Sequence, residues 1–209
     1  MGLLLTSIVC IGTAVPPQPA NAPDLDTRVR QFLENRRWSW HDMNIPEEDG
    51  REMHSIIIEH KFKSALEIGT STGHSGIWIA WALSKTGGRL ITIDIDPHRH
   101  QQAVANFKAA GVAQYIDARL GDAHEIVPAL QGPFDFVFSD ADKDWNINYA
   151  KSVLPKMPVG GCLITHNVSD RGWGYNGDFL RYLRSLPYLE TTLFTKGSGM
   201  SVSFKKAPR

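Results

Sequence analysis

The sequence predicts a doubly wound α/β domain, with a mostly parallel, seven-stranded sheet between helices and an antiparallel hairpin at its C-terminal end. Three observations carry this. Short apolar runs alternate with helix-period segments from Ala65 to Asn167, which is the pattern of parallel strands joined by crossover helices. A glycine-rich turn, Gly69-Thr-Ser-Thr-Gly73, links the first run to the first of these helices. The last two runs, Leu189 to Phe194 and Met200 to Phe204, are joined directly by a turn around Lys196-Gly-Ser-Gly199, so they pair antiparallel.

In chain order, residues 1–23 read as an apolar extension outside the fold and residues 24–209 as the domain. Leu3 to Val15 is too short to span a membrane comfortably. Ala20-Asn-Ala22 looks like the cleavage site of a secretory signal, yet no Lys or Arg precedes the apolar run and Pro23 is a poor residue after a cut. Localisation therefore stays open between export and the cytoplasm. Asp24 to Trp40 has helical spacing, with Leu25, Val29, Phe32 and Leu33 on one side. Pro46-Glu47-Glu48 opens a second helix, since proline suits the first turn and acids suit the positive end of the dipole; Met53, Ile56 and Ile57 form its apolar face.

Then follow strand 64–69, helix 74–85, strand 89–94 and helix 97–110, with Gly111 as its stop. Strand 115–120, helix 123–130, strand 134–139, a helix near 145–157 and strand 161–166 continue the alternation, and helix 177–186 precedes the hairpin.

Composition narrows the function. Lys+Arg 22 balance Asp+Glu 22, so there is no broad basic surface to hold nucleic acid. The two cysteines, Cys10 and Cys162, lack metal-ligand spacing, and Cys162 sits in an apolar run as a small buried hydrophobe.

Two segments carry chemistry. After the glycine turn, the run Arg89-Leu-Ile-Thr-Ile-Asp94 ends on an acid suited to the hydroxyls of a ribose. Together they read as a site for a nucleoside-containing cofactor. The glycine spacing is neither a dinucleotide fingerprint nor a phosphate loop. The second segment is Phe134-Asp-Phe-Val-Phe-Ser-Asp-Ala-Asp-Lys-Asp144, a strand ending in an acidic cluster with one lysine. Hard carboxylate oxygens suit Mg²⁺ or a similar ion, and a lysine beside them suits proton abstraction. A solvated loop that starts the next helix would give the same pattern.

Glu67-Ile-Gly-Thr-Ser-Thr-Gly73 resembles the E-x-G-x-x-x-G motif of class I S-adenosylmethionine-dependent methyltransferases, whose Rossmann-like fold has the layout described above. Phe134 to Asp144 resembles a segment of the cation-dependent O-methyltransferases, the family of catechol and caffeoyl-CoA O-methyltransferases. Asp42-Met-Asn-Ile45 resembles the part of catechol O-methyltransferase that folds over the cofactor, and the likeness runs from about Trp38 to Phe204.

The resemblance implies S-adenosylmethionine as cofactor. It implies that Glu67, Gly69, Ser71, Gly73 and Ser75 line the methionine half, and that Asp94 holds the ribose. Gly121, Asp122, Ala123 and His124 would surround the adenine, and Met43 and Asn44 would close over the cofactor. Asp140 matches the first metal ligand and also borders the cofactor, while Lys143 matches the lysine that takes the acceptor's proton. A homodimer acting on a small aromatic hydroxyl, with no nucleic acid and no membrane span, is implied as well.

The sequence departs from that family at two places. The family has Asp-Asn after the fifth strand as further metal ligands; here the residues are His166-Asn167. Imidazole suits Mn²⁺, Fe²⁺, Ni²⁺ or Zn²⁺ better than Mg²⁺. A different ion, weak Mg²⁺ binding, and no metal with His166 as an acid/base or structural residue all remain open. Ala141-Asp142 also replaces the His-Trp of catechol O-methyltransferase, so aromatic cover would come from Trp145, Trp173, Tyr175, Trp38 or Trp40. Trp78 and Trp81 read as packing residues. The implied activity is O-methyl transfer to a phenolic or catechol-like hydroxyl; a tRNA wobble-uridine methyltransferase and a non-catalytic cofactor-binding protein are the alternatives.

Overall fold

The computed structural model describes residues 24–169 and 176–207. Seven strands form one sheet in the order β3-β2-β1-β4-β5-β7-β6. They are β1 (Ser64–Ile68), β2 (Arg89–Asp94), β3 (Ile116–Leu120), β4 (Phe136–Ser139), β5 (Cys162–His166), β6 (Leu189–Phe194) and β7 (Met200–Lys205). The first five pair in parallel, while β7 runs antiparallel to both β5 and β6. The helices are α1 (Leu25–Asn35), α2 (Glu47–His60), α3 (His74–Thr86), α4 (Pro97–Ala110), α5 (Ala123–Ala129), α6 (Asn146–Val153) and α7 (Gly177–Ser185). The predicted fold class is the observed one.

Side-chain alternation along each strand decides which layer it feeds. Ala65, Phe136, Phe138, Cys162 and Ile164 join Val29, Met53, Ile77 and Phe107 in the core under α1–α4. Leu66, Ile68, Val137 and Leu163 face the other way, toward Val127, Tyr149 and Phe179 of α5–α7. Trp78 and Trp81 are buried in the first layer, as packing residues. Glu67 and His166 continue the alternation that turns their neighbours toward α2 and α3, so both are buried polar groups in an otherwise apolar layer.

Several boundaries differ from the sequence expectation. α1 stops at Asn35 although the helical spacing runs to Trp40, because Arg36 leaves helical geometry (φ −106°, ψ 4°) and residues 36–39 form turns. The helix expected near 145–157 is broken into 3-10 turns around α6, the second of them carrying Pro155 at its start. β4 begins at Phe136, two residues later than expected. Among the described residues no helix is long and apolar enough to cross a membrane.

Candidate active site

The carboxyl ends of β1, β2, β4 and β5 lie side by side along one edge of the sheet. β1 ends at Ile68 and the chain turns through residues 69–73 into α3. Gly69 has φ of 95°, and a Cβ there would lie 2.4 Å from the Asp140 carbonyl oxygen, so only glycine lets the turn lie against the end of β4. Gly69 and Thr70 donate their N–H groups to Ile93 O at 2.9 and 3.2 Å, which ties the turn to β2 as well. α3 has no side-chain N-cap, which leaves its first amides to a ligand.

Asp94 is buried at the end of β2. Its carboxylate accepts from Ser71 N at 2.6 Å and from Asp96 N at 2.9 Å. Each oxygen keeps a lone pair for a further donor. Glu67 lies beneath the turn, fully buried, and accepts from Thr92 Oγ1 at 2.5 Å. Burial pushes its pKa up to about 8; hydrogen bonds from Ser75 and Thr92 oppose this, and the negative charges of Asp140 and Asp94 add to it. Glu67 is thus a neutral buttress of the turn at pH 7, connected inward rather than opening on the crevice.

Residues 42–45 lie across the turn. Ser71 Oγ donates to Asp42 O at 2.6 Å, and Asn44 Nδ2 donates to Thr72 Oγ1 at 2.9 Å. Asp42 also takes a two-point salt bridge from Arg99 on α4, at 2.9 and 3.0 Å. Burial pushes the His74 pKa down to about 4, so its ring is neutral. Trp78 Nε1 can only donate, and does so to His74 Nε2 at 3.2 Å; the His74 proton therefore sits on Nδ1 and is donated to Ile45 O at 3.0 Å. Trp40 stacks on this ring at 4.5 Å. Met43 has φ of 48° and is 73% exposed.

At the chemistry-bearing end, Lys143 Nζ donates to Asp140 Oδ1 at 2.5 Å. His166 lies between two carboxylates, with Nε2 3.0 Å from Asp49 Oδ2 and Nδ1 3.1 Å from Asp140 Oδ2. Burial disfavours a charged ring, but attraction from Asp140 and Asp49 outweighs it and raises the His166 pKa to about 9. Burial likewise disfavours the Asp140 charge, yet His166 and Lys143 hold its pKa below the usual carboxylate value.

A model of the O-methyltransferase family matches residues 20–178. The chain belongs to the O-methyltransferase family. Among curated relatives, it is 40% identical over 110 residues to a catechol O-methyltransferase of Niastella koreensis, covering 51% of this chain and 49% of that protein. It is 34% identical over 129 residues to caffeoyl-CoA O-methyltransferase 1 of Eucalyptus globulus, covering 59% and 52%. The chain spans about half the length of the curated relatives it matches. A solved O-methyltransferase of Bacillus cereus, in complex with SAH, superposes with a TM-score of 0.73 over 90% of this chain and 94% of that one; at 24% identity the likeness is one of fold. The O-methyltransferase of Streptomyces achromogenes involved in tomaymycin synthesis, in complex with SAM, gives 0.71 at 25% identity, covering 89% and 91%.

On this O-methyltransferase frame, the turn residues Gly69, Ser71 and Gly73, the buttress Glu67, the ribose candidate Asp94, the crossing residue Asn44 and the pair Asp140–Lys143 come together. Ser75 is buried against Glu67. Asp122 caps α5 by accepting from His124 N at 2.8 Å, which orders residues 121–124. Trp145 stacks on His124 at 3.8 Å and 11°, so it covers the segment implied for adenine. Trp38 is 84% exposed, and Trp173 and Tyr175 lie outside the described residues.

His166 Nδ1 lies 3.1 Å from Asp140 Oδ2, and in the charged ring it is paired with that carboxylate. Among the described residues no group of three or more His, Cys, Asp or Glu side chains is arranged to hold a metal ion; Asn167 directly follows β5. The residue that sequence reading missed is Asp49. Its signal was its spacing with Met53, Ile56 and Ile57, which puts it on the buried stripe of α2.

Glu67 sets a pH dependence. Its folded pKa of about 8 exceeds the ordinary value of 4.5, so its contribution to stability is full below about pH 4.5 and is lost as pH rises through 8. Urea denaturation from pH 5 to 9 should show wild-type stability falling relative to Glu67→Gln. Parallel curves for the two proteins would contradict the protonated buttress.

Proposed function

We propose that the protein transfers the methyl group of S-adenosylmethionine to a hydroxyl of a small phenolic or catechol-like acceptor, aided by a divalent ion. One observation carries the reading: the Asp140–Lys143 pair begins where the glycine turn abuts β4, so a proton acceptor and a cofactor cradle share one crevice. The names of the curated relatives, catechol and caffeoyl-CoA O-methyltransferases, support the acceptor class.

S-adenosylmethionine supplies an electrophilic sulfonium methyl group, and a divalent ion supplies charge that steadies the acceptor oxyanion. The chain's own residues do the rest. Asp94 receives the ribose hydroxyls, the backbone of residues 69–73 and Ser75 border the methionine half, and residues 121–124 border the adenine. Met43 and Asn44 close the crevice from the crossing segment. Lys143, once its ammonium has given a proton to solvent, takes the acceptor's proton, and the ammonium so regenerated pairs again with Asp140. The acceptor oxygen, so deprotonated, would receive the methyl group that the cofactor held by Asp94 and residues 69–73 would supply. Positioning supplies much of the rate. Asp140, His166 and Asn167 would hold the ion, and an imidazole in that set favours Mn²⁺, Fe²⁺, Ni²⁺ or Zn²⁺ over Mg²⁺.

The direct test is mass-spectrometric detection of methylated product from a panel of phenols and catechols. With an active acceptor, Lys143→Ala should lower turnover by about 10²–10⁴-fold and leave cofactor affinity nearly unchanged; near-normal turnover would remove the base. Asp94→Ala should weaken cofactor binding by about 1–3 kcal/mol in calorimetry, and unchanged affinity in a folded variant would remove the ribose assignment. Chelator-stripped protein should regain more activity with Mn²⁺, Fe²⁺, Ni²⁺ or Zn²⁺ than with Mg²⁺, and His166→Asp should move the preference toward Mg²⁺. Full activity with no metal by elemental analysis would end the metal reading.

A further inference from the structure

We propose that His74 is a positioning residue for cofactor binding: through Nδ1–H it anchors Ile45 and so holds Met43 and Asn44 in place across the glycine turn. This deepens the cofactor reading above and rests on it.

The contacts that tie down residues 42–45 are graded by depth. Ser71 Oγ donates to Asp42 O in an exposed contact at 2.6 Å, and Arg99 meets the Asp42 carboxylate in partial contact with solvent. Asn44 Nδ2 donates to Thr72 Oγ1 in a half-buried contact at 2.9 Å. Among the described residues, the one buried bond to the segment runs from His74 Nδ1–H to Ile45 O, at 3.0 Å. Water competes for the outer contacts, whereas leaving the buried carbonyl without its donor carries the full cost of desolvation.

The ring that makes this bond is held on three sides. Trp78 Nε1 donates to its Nε2 at 3.2 Å, Trp40 stacks on it at 4.5 Å and 16°, and His74 itself opens α3 directly after Gly73. Trp78 is wedged in turn, since a Cβ on Gly50 of α2 would lie 2.3 Å from its Cδ1. Trp40 meets Phe32 of α1 edge-on at 6.2 Å. Three helices thus fix one imidazole, and the imidazole fixes one carbonyl.

Met43 shows what that carbonyl secures. Its φ of 48° is left-handed, a conformation that a residue with a Cβ keeps only when its neighbours impose it. The side chain is 73% exposed, so packing of its own does not hold it there. The constraint comes from Asp42 on one side and from Asn44 and Ile45 on the other. Released at Ile45, the segment would relax at Met43 and draw Asn44 away from Thr72, a residue of the cofactor turn.

The test is calorimetric titration of the full chain with S-adenosylhomocysteine, together with stopped-flow measurement of its release. Asparagine places an amide N–H where Nδ1 stands and gives up Trp78; glutamine reaches the Nε2 position, keeps Trp78 and gives up Ile45. His74→Gln should weaken binding about tenfold, as expected for one buried hydrogen bond, mostly through faster release. His74→Asn should lose less than about threefold. Unchanged affinity in folded His74→Gln, or equal losses in the two variants, overturns the role of His74. No binding by the wild-type chain overturns the cofactor reading as well. If either variant fails to fold, ¹⁵N chemical shifts and proton exchange of the His74 ring in the wild-type chain decide. A proton on Nδ1 whose exchange slows when S-adenosylhomocysteine is added supports the proposal. A proton on Nε2, or an exchange rate that does not respond, overturns it.

Discussion

Two backbones meet at the centre of the site: the glycine turn after β1 and the carbonyl of Asp140 at the end of β4, with no room between them for a Cβ on Gly69. That contact admits no Cβ at Gly69, and it sets the distance between the two halves of the site. On one side are the amides of the turn, which also grip Asp94 through Ser71. On the other are the Asp140 carboxylate and, one 3-10 turn later, Lys143. A side chain at position 69 would push the cradle away from the acid–lysine pair, and the two chemistries would cease to share one crevice. Parallel pairing of β1 with both β2 and β4 makes the approach unavoidable, because it brings three strand ends to the same edge.

Beneath that contact, the site carries more buried charge than the apolar layer around it would tolerate unpaired. Asp49, His166, Asp140 and Lys143 form a chain in which acids and bases alternate. Alternation lets each charge be met on either side, which offsets the cost of removing it from water. Removing one member exposes its neighbours to that cost. Glu67, close to the same acids but without a basic partner, takes the other route and keeps its proton.

Much of the architecture was legible because period and spacing are local. Runs such as Phe136 to Ser139, and the turns between them, announce strands whatever they pack against. The glycine turn, Asp94, Asp140 and Lys143 were legible for the same reason, since each sits where a strand ends. Asp49 was not. An acid two residues after Glu47 reads as a helix start; its spacing with Met53, Ile56 and Ile57 puts it on the inward stripe, but the partner at position 166 lies far away in the sequence. Tryptophan roles were similarly hidden: Trp145 turned out to lie on His124 and Trp40 on His74, partners 21 and 34 positions away. Helical spacing beyond Asn35 was misleading because aromatic residues can keep a helical interval without the hydrogen bonds.

The segment from Asp42 to Ile45 is fastened over the turn by a few polar contacts, the outermost of which is the Arg99–Asp42 salt bridge in partial contact with solvent. A fastening of that kind is sensitive to ionic strength while the buried contacts below it are not. Added salt therefore loosens the hold on residues 42–45 at its outer edge first, where Arg99 meets Asp42.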